Sequence, residues 1–230
     1  MMTSLARRAA AEFLGTGFLV AAVVGSGIMG ERLANGNAAI ALLANTIATG
    51  AALVALIITF GPVSGAHFNP VITFAEALER RFSWSEVPLY LLGQIFGGVG
   101  GAVAGNLMFG LPAISISARV RSGRAQLLSE FIATFGLVCV VWASARHRPR
   151  VVPFAVGAYI TAAYWFTAST SFANPAVTLA RSFSNTFSGI RPGDVPAFIA
   201  VQFLGGVVSV LVLRYVFSES VKVQSERVSS

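Results

Sequence analysis

The chain has 230 residues, 55% of them hydrophobic and 11% charged, with a mean hydropathy of +0.75. That composition marks a polytopic membrane protein and excludes an ordinary soluble domain. A net charge of +7 and a pI near 10.7 suggest a nucleic-acid partner at first sight, but the sixteen basic residues are scattered through the loops between apolar runs, which excludes that reading too.

The first apolar run begins directly after Arg7 and Arg8 and lacks a processing site, so it reads as a membrane span rather than a cleaved signal. Six stretches come close to the ~20 residues a helix needs to cross a bilayer: residues 9–29, 38–60, 87–108, 127–145, 151–168 and 196–217. Two apolar remainders, 69–78 and 174–183, are too short. At ~1.5 Å per residue each covers ~15 Å, half of a ~30 Å hydrocarbon core, so two half-helices entering from opposite sides meet at the centre. The expected fold class is an all-α membrane protein of six transmembrane helices plus two re-entrant half-helices. Cys139, the one cysteine, falls in the fourth span, where it reads as a small core residue and rules out a disulfide within the chain.

Charge orients the spans. With the N-terminus cytoplasmic, ten basic residues (Arg7, Arg8, Arg80, Arg81, Arg146, Arg148, Arg150, Arg214, Lys222, Arg227) lie on inner segments and six (Arg32, Arg119, Arg121, Arg124, Arg181, Arg191) on outer ones. Both termini inside is the expectation.

Three pairs of segments recur in the same order. Glu12-Phe13-Leu14-Gly15-Thr16 matches Glu130-Phe131-Ile132-Ala133-Thr134, Asn69-Pro70-Val71-Ile72-Thr73 matches Asn174-Pro175-Ala176-Val177-Thr178, and Gln94-Ile95-Phe96-Gly97-Gly98 matches Gln202-Phe203-Leu204-Gly205-Gly206. The pairs are offset by 118, 105 and 108 residues. Residues 1–115 and 116–230 therefore read as two repeats in one channel domain. Each has three spans and a half-span, and an odd number of crossings inverts the second relative to the first. In the third span Gly93, Gly97, Gly101 and Gly105 recur every fourth residue, the mark of a close helix crossing. Glu12 and Glu130 sit within apolar helices, where an unpaired carboxylate is costly. Two readings stand: a proton-coupling role, or an internal acceptor for backbone donors of the opposing half-helix loop. Their symmetric placement favours the second.

Asparagine is a leading N-cap residue and proline is tolerated in the first helical turn, so each Asn-Pro phrase is a helix start. Two such starts at the midplane place two positive dipole ends beside a pore, with the Asn69 and Asn174 amides free to donate to a passing oxygen. Such a centre repels cations and interrupts a proton wire while a neutral hydroxyl-bearing solute loses little. Irregular backbone at this depth survives only where it lines a cavity.

These residues resemble the aquaporin and aquaglyceroporin family, the major intrinsic proteins, over essentially the whole chain. Ser64-Gly65-Ala66-His67-Phe68-Asn69-Pro70 is similar to the family's first pore loop. The resemblance implies six helices, two half-helices, one pore per protomer and a homotetramer. His67 reads either as a pH sensor or ligand or as a side chain supporting the loop, the latter favoured.

Against the family pattern, Val177 stands where most relatives carry an arginine, and family spacing puts Thr49, Ala162 and Ser171 at the other filter positions. All four are small, so the expected filter is wide and less selective for water. Thr178 replaces an aspartate usual in glycerol channels, and Val71 replaces an alanine. Arg181 lies one turn beyond Val177 and reads either as an outer-vestibule cation or as a structural partner of the helix end or Asp194. A wide filter without arginine, chiefly Thr49 with Val177, resembles a bacterial subgroup associated with arsenic resistance, the AqpS-type aquaglyceroporins. On that resemblance the substrates are metalloid hydroxides such as arsenous acid, with methylated or pentavalent arsenicals, polyols or water beside them. The chain offers no nucleotide motif, no metal-ligand cluster and no nucleophile and base converging on one site, so no cofactor and no enzyme activity are expected. The reading is a passive channel in a cell membrane, here a bacterial inner membrane. The rivals are an ion-coupled secondary transporter with midplane broken helices and a plain water or glycerol channel.

Overall fold

A computed structural model of the chain describes residues 4–217. Lys222 and Arg227, counted above among the inner charges, lie outside the described residues. Eight α-helices follow in two sets of four, each long, long, short, long: α1 (Leu5–Leu33), α2 (Ala38–Ser64), α3 (Pro70–Leu78), α4 (Val87–Met108), then α5 (Arg124–His147), α6 (Val152–Phe166), α7 (Pro175–Arg181) and α8 (Val195–Val216). No strand occurs among the described residues.

The expected spans are found with shifted ends. α1 is a turn longer at each end, and α2 continues through Pro62 to Ser64, where Gly65 stops it in the left-handed conformation at φ +87°. α6 has only 15 residues, because a short 3₁₀ turn, Pro149–Val151, precedes it. Among the described residues five elements are long and apolar enough to span a bilayer by length and composition alone, and α6 is the short sixth.

Close crossings hold the bundle. A Cβ on Gly93 would stand 2.8 Å from the Ala9 carbonyl oxygen, and Cβ atoms on Gly97 and Gly101 would fall on the carbonyl oxygens of Phe13 and Gly17. The glycine stripe of α4 thus lies backbone to backbone on α1. In the second set, Gly205 of α8 meets Phe131 of α5 in the same manner, 2.6 Å from the carbonyl oxygen. The half-helices pack crosswise: the Val71 methyls of α3 sit on Gly206 of α8, while Ala176 and Ala180 of α7 sit on Gly98 of α4. Each short helix therefore docks on the last helix of the other set, which fixes the two halves around one axis.

Candidate pore and its lining

Asn69 and Asn174 cap α3 and α7. The Asn69 Oδ1 accepts from the Val71 N–H at 2.9 Å, and the Asn174 Oδ1 accepts from Ala176 and Val177 at 3.0 and 3.2 Å. Each side chain also reaches the other half: the Asn69 Nδ2 donates to the Ala173 carbonyl at 2.8 Å and the Asn174 Nδ2 to the Phe68 carbonyl at 2.7 Å. An amide nitrogen carries two hydrogens, so one of each pair is spent on this clamp and one remains. The loops entering the half-helices bend through left-handed residues, Ala66 and Phe68 on one side, Ser171 and Ala173 on the other, all with φ between +47° and +51°. Non-glycine residues held there are strained and persist only when their surroundings impose it.

The glutamates impose it. Glu12 accepts from the backbone N–H groups of His67 (2.9 Å) and Phe68 (2.7 Å), the Ser64 hydroxyl (2.7 Å) and the Gln94 amide (2.7 Å). Glu130 accepts from Phe172 (2.8 Å), Ala173 (2.9 Å) and the Gln202 amide (2.6 Å). This corrects one expectation: each carboxylate serves the loop of its own half, not the opposing one, because α1 and α4, or α5 and α8, form the wall against which that loop folds. Gln94 and Gln202 extend the pattern, donating to Thr73 and Thr178 at 2.9 Å each. Thr178 is thus buried against Gln202 and the Asn174 carbonyl, away from any lumen. The His67 Nδ1 lies 3.1 Å from the Thr73 hydroxyl, with its ring against Phe82 and Tyr90.

A cavity of about 410 Å³ runs between the two halves. At one end it is bounded by Glu76, Ala145 and Pro149, and at the other by Thr49, Tyr164 and Arg181, with Asn69 and Asn174 both on its wall. Aliphatic side chains line much of the remainder, among them Leu53, Ile57, Val156 and Ile160. His67, Ser171 and Val177 also line it. Of the two Asn-Pro phrases, Asn69, Ile72, Asn174 and Val177 reach the cavity wall; Pro70, Val71, Pro175 and Ala176 are buried in the surrounding protein.

Ala162 is a correction. It lies on the exposed face of α6, while the buried Ile160 and Tyr164 face the cavity. Two residues along a helix turn by about 200°, so a two-residue error in register exchanges the two faces. Tyr164 therefore stands where a small residue was expected, its hydroxyl sharing a hydrogen bond with Thr49 at 3.3 Å.

Arg181 is buried to 1% exposure. Its Nε donates to the Ser188 carbonyl, and its guanidinium carbon stacks 3.4 Å from the Phe172 ring centroid. Asp194, one expected partner, instead pairs with Arg191 at 2.8 Å and accepts the Arg121 backbone N–H at 2.8 Å. Sequence reasoning missed Arg121. It comes from the loop at 109–123, is 9% exposed, and donates to the carbonyls of Gly189 (2.8 Å), Ser169 (2.9 Å) and Phe187 (3.5 Å). Burial first, then the Arg181 and Arg119 charges, pushes Arg121 down to about 9, which leaves it charged at neutral pH. Nothing in its local sequence distinguishes it from the other loop arginines.

The family described as Major intrinsic protein matches residues 1–171 and 147–230. The chain is 55% identical over 211 residues to Aquaglyceroporin AqpS of Rhizobium meliloti, covering 92% of this chain and 90% of that one. It is 36% identical over 200 residues to Aquaporin NIP1-4 of Oryza sativa, covering 85% and 71%. The crystal structure of the Plasmodium falciparum aquaglyceroporin superposes with a TM-score of 0.72 at 19% identity, over 90% of this chain and 95% of that one, a likeness of fold alone. With eight helices among the described residues, two of them short and meeting at their capping asparagines beside a cavity, the chain belongs to the major intrinsic protein family and is an integral membrane channel for small solutes.

Proposed function

We propose that the conduction route is the cavity between Asn69 and Asn174, and that it passes small, mainly uncharged hydroxylated solutes wider than water. The observation that supports this best is the side-chain set at the Arg181 end, where Thr49, Ser171 and Val177 share the wall and Val177 offers only an isopropyl group to the lumen. A guanidinium at that position would add a fixed charge and fill space; an isopropyl group does neither. With Ala162 on the outer face, Tyr164 joins these three as the filter residue from α6. Asn69 and Asn174, with the two helix starts behind them, form the barrier to cations and protons.

Metalloid hydroxides suit this lining. Arsenous acid is neutral near pH 7 and presents several hydroxyls, which exchange water for the remaining amide hydrogens of Asn69 and Asn174 while the aliphatic wall accepts the rest of the molecule. Methylated and pentavalent arsenicals, and polyols, share parts of that chemistry. The name of the Rhizobium relative, an aquaglyceroporin, fits a solute wider than water.

The charge distribution supports a bacterial inner-membrane orientation with both termini cytoplasmic, the Glu76 end inward and the Arg181 end outward. The repeat halves are residues 1–115 and 116–230. The assembly is a homotetramer with one pore per protomer, as the family resemblance implies. Glu12, Glu130 and His67 support the pore loops.

Stopped-flow measurements on proteoliposomes with water, glycerol, urea and arsenous acid test this. Entry of arsenous acid down its gradient, unaffected by an uncoupler, is the expected result. Water flux without any solute flux, or accumulation that an uncoupler abolishes, would overturn it.

A further inference from the structure

The Arg181 end of the cavity contains two buried polar atoms without a partner, the Arg181 Nη1 and the Ser171 Oγ. Both side chains line the cavity, and both residues are nearly inaccessible, at 1% and 2% exposure. Buried polar groups are almost always paired, and an unpaired charged donor is the costliest exception. The rest of Arg181 is fixed: Nε is committed to the Ser188 carbonyl and the guanidinium plane to the Phe172 ring. Nη1 is thereby left as a buried donor without a partner, on the same cavity wall as a serine hydroxyl in the same state.

The charges around this point do not cancel. Arg121 stacks on the same ring, 4.8 Å from its centroid, and spends its donors on carbonyls. Glu130 faces the pair from α5, bonded to the Phe172 N–H. Asp194 touches the Arg121 backbone, but its charge is matched by Arg191. Two buried guanidiniums against one carboxylate leave a net positive charge, to which the exposed Arg119 adds.

We propose that Arg181 Nη1 and Ser171 Oγ form a binding site for a small monovalent oxyanion at this end of the pore. One oxygen-bearing anion satisfies both orphaned atoms and the residual charge together, in the charge-assisted geometry a fixed guanidinium favours. Glu76 at the far end repels the same anion, which confines binding to the Arg181 end. The site rests on the reading of this cavity as the conduction route in one respect only: an anion held there obstructs a neutral solute.

Radiolabelled formate, a monoanion at neutral pH, is the probe. Equilibrium dialysis against the purified full-length protein should give a single formate per protomer with millimolar affinity. Arg181→Gln should weaken it by at least about tenfold, Arg181→Lys should restore part of the loss, and Ser171→Ala should weaken binding without touching the arginine's anchors. Ser171→Ala keeps the test valid if Arg181→Gln fails to fold as a monodisperse protein. In proteoliposomes, external formate should slow arsenous acid entry in the wild type. Absence of binding, or binding unaltered by Ser171→Ala and by every folded Arg181 variant, would overturn the site and leave water as the partner of both atoms. Formate binding without any arsenous acid entry would sink the channel reading and leave the site standing.

Discussion

Glu76 and Arg181 occupy the same position in the two half-helices, each seven residues after its capping asparagine, and both line the cavity at opposite ends. The repeat thus carries a carboxylate at one end and a guanidinium at the other. Arg181 complements the negative C-terminal end of α7. Glu76 opposes the same dipole in α3 and is answered by Arg81 at 3.6 Å. On the proposed reading the two helix starts keep the centre positive, so that a cation meets a barrier at Arg181 and the midplane and an anion meets one at Glu76. On the same reading a neutral solute meets neither.

The reciprocal clamp makes Asn69 and Asn174 structural as well as electrostatic. Asn69→Ala or Asn174→Ala removes a helix cap, about 1 kcal/mol, and strips a buried carbonyl of its partner, about 1–3 kcal/mol more. Thermal unfolding in detergent should show both single variants destabilised. The double variant, reconstituted, should leak protons faster than wild type; an unchanged leak would undermine the proposed midplane barrier.

Glu12 and Glu130 each gather donors from a pore loop, so the isosteric amide is not conservative. In Glu12→Gln the new NH₂ group faces N–H and O–H donors, breaking at least one charge-assisted bond, a loss of about 1.5–3 kcal/mol per bond. The expected phenotype is a lower Tm and a lower yield of monodisperse protein, with Glu130→Gln behaving alike. Variants as stable as wild type but insensitive to a proton gradient that drives wild-type uptake would instead support proton coupling.

Two neighbouring glycines separate packing from propensity. Gly101→Ala places a methyl on the Gly17 carbonyl, a backbone atom that cannot swing aside, and should destabilise by about 1–3 kcal/mol. Gly100, one residue earlier, has nothing within 4 Å of a new Cβ and lies on the exposed face. Gly100→Ala should be neutral or slightly stabilising. Equal effects in a thermal-shift assay would contradict the α1–α4 crossing.

On α6, Ala162 and Tyr164 point to opposite faces. Ala162→Phe enlarges a residue on the exposed face and should leave solute flux unaltered, whereas Tyr164→Ala removes a ring from the cavity wall and should raise flux of bulky solutes about severalfold. The reverse pattern, read by proteoliposome uptake, would restore Ala162 as the lining residue.

Much of this architecture was legible because its determinants are local. Asn-Pro followed by a short apolar run specifies a capped half-helix, and α3 starts at Pro70 and α7 at Pro175. The α4 glycines specify a crossing, found against α1. What failed depended on distance through space. Counting back from Asn174 to α6 crosses the loop at 167–173, and that count mistook the helix face. The partners of Glu12 and Glu130 depend on which loop folds against which wall, information no single segment holds. Arg121 lies in a loop without periodicity, and only the folded chain brings it to Phe172.

On the proposed reading, solutes wider than water pass the wall formed by Thr49, Ser171 and Val177. Val177→Arg, compared with wild type by stopped-flow, is the decisive variant. The prediction is a fall of about tenfold or more in arsenous acid and glycerol entry, at least about 1.4 kcal/mol in barrier height, with water permeability retained. Solute entry unchanged by the arginine would contradict it.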